Sequence, residues 1–129
     1  MFYNIRVMSR IRPDELDERL DAGSRPFLLD IRPEDDYAAD AITGSHNVPV
    51  YDDLQRGDDS GLRKRLGEIP DDETVVVVCK MGIVAKRATR FLDEQGYDAT
   101  TLAGGMSGWN GYKKGSLGYT LRSLWWKLR

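Results

Sequence analysis

Apolar and polar positions in this chain fall into short blocks whose spacing switches between strand and helix periods. The clearest block is Val75-Val76-Val77-Val78. Four β-branched residues without alternation predict a strand covered on both faces, as in a parallel sheet. From Val84 the period changes. Val84, Ala88, Phe91 and Leu92 share one helical face, with Lys86, Arg87 and Arg90 elsewhere, and Gln95-Gly96 ends the helix. Ala99 to Leu102 predicts a further strand, followed by a turn at Gly104-Gly105. Upstream, Ile5 to Ile11 predicts a first strand. Arg12-Pro13-Asp14 opens a helix to about Ala22, with Leu16 and Leu20 on one face, and Gly23 stops it. Residues 26–31 have strand length and apolarity, and Pro33 to Tyr37 has the proline and acids of a helix first turn. Asn47 to Val50 is a short strand or turn. Residues 52–73, polar and broken by Gly57, Gly61 and Gly67, predict a surface excursion with a short helix at Leu62–Leu66. Strands alternate with helices, so the fold class is α/β: an open, mostly parallel sheet with helices on both faces.

Length adds that one core is present, since 129 residues suit a single compact domain. At 40% hydrophobic and 31% charged residues, the chain has the apolar content to fold. No run of about 18 apolar residues offers a membrane span. The N-terminus MFYNIRVMSR lacks an apolar signal core. Cys79 is the single cysteine, which excludes an internal disulfide and a thiolate cluster for zinc. A reducing, cytoplasmic setting is expected, with no cofactor and no metal. The net charge of −2 is unevenly spread. Lys113, Lys114, Arg122, Lys127 and Arg129 make residues 111–129 +5, which leaves −7 on the rest. An acidic body argues against a nucleic-acid partner.

The segment from Val75 to Leu92 reads strand, Cys-Lys-Met-Gly-Ile-Val, helix. In open α/β sheets ligands bind beyond the carboxyl ends of strands. A tight loop entering a helix points backbone N–H groups inward and, with the helix dipole, makes an anion site. Cys79 stands where that site forms, Gly82 allows the turn, and Lys80 adds a nearby positive charge. Such surroundings favour the thiolate, which is the nucleophile. A lone cysteine after a valine run also reads as a small buried hydrophobe. Position alone leaves both readings open, and the loop with its immediate helix start tilts toward function.

Five pieces in order give the chain a family resemblance: Leu28-Leu29-Asp30-Ile31-Arg32; Glu34 to Tyr37; Ile42-Thr43-Gly44-Ser45-His46-Asn47-Val48-Pro49; Cys79 to Ala85; and Leu102 to Gly108-Trp109. Together they resemble the rhodanese-like family, over roughly Ser9 to Tyr112. The resemblance implies a five-stranded rhodanese-like sheet in residues 1–112 and a sulfurtransferase. Cys79 would be the catalytic residue, carrying a sulfane sulfur as a persulfide. Lys80, Met81, Gly82, Ile83 and Val84 would bind the substrate, mainly through backbone N–H groups. Arg32 would draw in an anionic donor, with an exposed surface arginine as the competing reading. A six-residue loop, Cys79 to Val84, implies sulfur chemistry, since related phosphatases use a loop one residue longer. The implied partners are a small donor such as thiosulfate and an acceptor or carrier protein.

The chain departs from the family at three places. Val84 stands where the family has a loop arginine, Ala85 where it has Ser or Thr, and Asp40-Ala41 where it has Gly-His. The missing arginine implies weaker turnover with thiosulfate, with a protein persulfide as donor. It also motivates the alternative of a noncatalytic rhodanese-like binding or regulatory module. Asp30 is expected to anchor structure, His46 to serve a turn rather than catalysis, and Trp109 to pack in the core. Leu117, Leu121, Leu124, Trp125 and Leu128 recur at helical spacing. Residues 113–129 therefore predict a basic amphipathic helix, packed on the domain or docking to a partner or, weakly, to a membrane surface.

Overall fold

The computed structural model describes residues 9–115. Residues 5–8 of the expected first strand and the tail helix from residue 116 lie outside the described residues. In chain order come β1 (Arg10–Ile11), α1 (Pro13–Asp21), β2 (Phe27–Asp30), α2 (Glu34–Ala39), β3 (His46–Asn47), α3 (Tyr51–Gln55), α4 (Ser60–Lys64), one 3-10 turn (Leu66–Glu68), β4 (Thr74–Val78), α5 (Ala85–Glu94) and β5 (Asp98–Leu102). A last helix, α6, occupies residues 105–115 of the described chain and runs through residue 112 without a break. The sheet is five-stranded in the order β1-β5-β4-β2-β3, and every pairing is parallel.

β4 sits at the centre, and its valines alternate between two cores. Val75, Val77 and Cys79 join one cluster with Leu54, Leu62, Ala88 and Leu92. Val76 and Val78 join the other, with Leu16, Leu102, Met106 and Trp109. Period-two alternation into two covered faces accounts for the unbroken valine run. Cys79 thus falls on the face covered by α5, the helix that follows it. Trp109 packs in the core, as expected.

Most of residues 52–73 lie exposed, as a surface excursion predicts, and the short helix expected at Leu62–Leu66 is present two residues earlier as α4, but three apolar side chains of the segment reach the core. α3 and α4 lie there, and Leu54, Leu62 and Ile69 are buried at 2%, 0% and 4% exposure. Each short helix supplies a single leucine to the core, too few for a periodic signal. Gly104 lies in the expected turn, but Gly105 already starts α6. Among the described residues no helix is long and apolar enough to cross a membrane.

Candidate active site

Cys79 follows the last residue of β4, and its loop closes on the first turn of α5. Its Sγ accepts hydrogen bonds from the backbone N–H of Gly82 at 3.1 Å and of Ala85 at 3.3 Å. The side chain is only 1% exposed, so the sulfur lies beneath the loop rather than at its tip. It is buried like a hydrophobe, yet it is met by two polar donors, an arrangement suited to a sulfur bearing negative charge.

The loop is held from the neighbouring strand end. Cys79 O accepts the N–H of Met106 at 2.8 Å, and Lys80 O accepts that of Ser107 at 3.0 Å. This fit requires Gly105. A Cβ there would stand 2.3 Å from Cys79 O and 2.8 Å from Gly82 N, and the residue has φ +58. Gly82, at φ 85, is pressed in turn against Gly104 and Leu102 O. The clamping by residues 105–107 is not evident from the sequence, where Gly104-Gly105 reads as a turn. The usable signal is two adjacent glycines directly after an apolar strand.

The other loop residues divide by exposure. Val84 is 6% exposed and its side chain joins the core, which leaves only its backbone for any substrate. Met81 and Ile83 are 61% and 71% exposed. The Lys80 ammonium lies 3.6 Å from Asp36 Oδ2 and 5.2 Å from the centre of the Tyr51 ring, linking the loop to α2 and α3.

Arg32 is not an exposed surface arginine. It is 5% exposed, and Asp30 beside it is fully buried. The Arg32 backbone N–H and Nε both donate to Asp30 Oδ1 at 3.0 Å, and Nη2 donates to Oδ2 at 2.9 Å. Nη2 also donates to the Asp40 carbonyl. Asn47 Nδ2 donates to the carbonyls of Asp30 and Arg32 at 2.9 and 3.0 Å. The pair therefore braces the carboxyl end of β2, and Asp30 matches the charge that was expected to draw in an anion.

His46 is engaged away from the sulfur, with Nε2 2.7 Å from Glu68 Oε1. Arg65 holds the same carboxylate through Nε at 2.7 Å and Nη2 at 2.9 Å. The Arg65 hydrogen bonds, with His46 second, pull the Glu68 carboxyl down to about 2. A carboxyl depressed in the folded state stabilises above its ordinary value of 4.5, and the contribution is lost as pH falls through about 2. An NMR titration of the Glu68 side-chain carbonyl is expected to give a midpoint near 2, and a midpoint at 4.5 would contradict this contact.

A family model for the rhodanese-like domain matches residues 12–112. The chain belongs to the rhodanese-like domain family. A sulfurtransferase of Allochromatium vinosum is 28% identical over 104 residues, covering 80% of this chain and 89% of that protein. An adenylyltransferase and sulfurtransferase of Zea mays, MOCS3-2, is 30% identical over 102 residues. That match covers 78% of this chain and only 21% of the larger protein. A rhodanese-like domain protein from Staphylococcus aureus shares the fold at TM-score 0.68 and 24% identity, over 79% of this chain and 91% of that one. The relatives named as sulfurtransferases place this rhodanese-like domain in a sulfurtransferase family.

Proposed function

We propose that this rhodanese-like domain moves a sulfane sulfur from thiosulfate or a protein persulfide to a thiophilic acceptor through a Cys79 persulfide. The observation that carries this reading is the convergence of the Gly82 and Ala85 N–H groups on Cys79 Sγ. Donors so placed stabilise negative charge on sulfur, both in the attacking thiolate and as charge shifts during transfer.

With thiosulfate, the Cys79 thiolate forms a new S–S bond to the outer sulfur. The old S–S bond breaks, and its electron pair leaves with sulfite. No oxidant is needed, because the sulfane sulfur moves without net electron transfer. A second thiophile, such as cyanide or a thiol, then takes the outer sulfur and restores the Cys79 thiolate. The chain has one cysteine, so no internal thiol can resolve the persulfide and the acceptor comes from outside. Arg32 is a positioning residue in this scheme, fixing the end of β2 beside the loop through Asp30.

Sulfur transfer from thiosulfate to cyanide tests the reading. Wild type is expected to turn over, and Cys79→Ser to fall to the uncatalysed rate. A serine variant within tenfold of wild type would overturn it. The core placement of Val84 favours one other reading, a binding module whose loop recognises a partner without transferring sulfur. That reading predicts partner capture that survives Cys79→Ala, with no transfer by the wild type.

A further inference from the structure

Among the described residues the large hydrophobic side chains left exposed are Met81 and Ile83, and both stand on the cysteine loop. A single exposed apolar residue needs no explanation, but two flanking a buried reactive sulfur form a rim that any sulfur partner must meet. The charge around this rim is also uneven. Lys80 brings the loop against Asp36, in the first turn of α2 with Glu34 and Asp35, and against Tyr51, whose helix carries Asp52 and Asp53 in its first turn. Asp53 is paired with Arg56, which leaves four carboxylates, and the cations beside them are Lys80, itself shared with Asp36, and Lys86 in the first turn of α5. Arg32 is matched by Asp30, and Val84 brings no charge.

A doubly charged inorganic anion gains nothing from Met81 or Ile83 and must approach acidic side chains. An incoming ion feels little screening from carboxylates that lie within roughly 8–10 Å of it at moderate salt. A protein segment with apolar side chains to cover the rim and basic ones to meet α2 and α3 gains on both counts.

We infer that the sulfur donor fitted to this site is a protein cysteine persulfide flanked by apolar and basic residues, with Met81 and Ile83 as specificity-determining contacts. The inference rests on Cys79 accepting sulfur, as proposed above. In the transfer step the Cys79 thiolate bonds to the outer sulfur of the partner's persulfide. The partner's S–S bond breaks, and its electron pair remains on the partner's inner sulfur as a thiolate. The proton or charge of the terminal sulfur passes with it to Cys79.

Three donors test this on the full chain: thiosulfate, a synthetic peptide persulfide with leucine and arginine beside its cysteine, and a matched peptide with aspartate and serine there. Loading of Cys79 is followed by rapid quench and intact mass. The leucine–arginine peptide is expected to load Cys79 at least tenfold faster than the aspartate–serine peptide, with the advantage shrinking as salt rises. In Met81→Ser/Ile83→Ser the ratio between the two peptides is expected to fall about tenfold. Both positions are solvent-exposed, and circular dichroism checks the fold of the variant. Equal rates for the two peptides in wild type, or an unchanged ratio in the double variant, overturns the inference while leaving sulfur transfer standing. No loading from any of the three donors removes the parent reading and this inference with it.

Discussion

Gly105→Ala is expected to lower stability by about 2–4 kcal/mol and to stop sulfur loading at Cys79. Two penalties add at this position. The backbone has φ +58, a conformation that costs a residue with a Cβ about 1 kcal/mol or more. The new methyl would also stand 2.3 Å from Cys79 O and 2.7 Å from Lys80 C, both backbone atoms of the cysteine loop. Backbone cannot swing aside as a side chain can, so the cost is at least the ~1–3 kcal/mol typical of overpacking. Relief requires that the loop part from α6, which breaks the bonds from Met106 and Ser107 to the Cys79 and Lys80 carbonyls. The Sγ position set by Gly82 and Ala85 then shifts as well. Thermal unfolding should show a melting temperature lower by roughly 10 °C or more. Gly111→Ala in the same helix meets nothing within 4 Å, and it is expected to be neutral or stabilising by up to about 1 kcal/mol. Equal melting temperatures for the two variants would contradict the clamp.

Asp30→Asn is expected to cost about 3–5 kcal/mol, because it leaves the Arg32 guanidinium buried without a counter-charge. Asp30 accepts from the Arg32 backbone and from two side-chain nitrogens, and the two side chains are 1% and 6% exposed. Asparagine keeps the shape and one acceptor but removes the charge. Arg32→Met should destabilise for the mirror-image reason, by stranding the carboxylate. The double variant should lose clearly less than the sum, since neither charge is then left alone. Chemical denaturation of the two single variants and the double variant checks this. Strict additivity would contradict the pairing.

Much of this was legible in the sequence where local pattern and global role agree. The valine run is covered on both faces, and the sequence could say so because a half-exposed strand would alternate. The shift to helical spacing at Val84 located α5, and with it the position of Cys79 at a strand end facing a helix start. Where the reading fell short, the cause was long-range. Leu54 belongs to a helix of five residues with one buried leucine, too short to carry a periodic signal. The burial of Arg32 depends on Asp30 two residues away, on the Asp40 carbonyl and on the sheet above, and a charged residue carries no local mark of such pairing. Gly105 reads as a turn glycine until β5 is laid beside β4, when its missing Cβ becomes the space that the cysteine loop occupies. Val84 reads in the sequence as a lost charge, but only packing shows that its side chain turns into the core.

The central claim is that Cys79 accepts sulfur, and intact-mass measurement after treatment with a sulfane donor tests it most directly. Wild type is expected to gain the mass of one sulfur atom, reversibly on addition of cyanide, with the label on the peptide containing Cys79 and none on Cys79→Ser. Wild type that gains no sulfur from thiosulfate or from a persulfide donor, or a serine variant that gains it equally, would contradict the account.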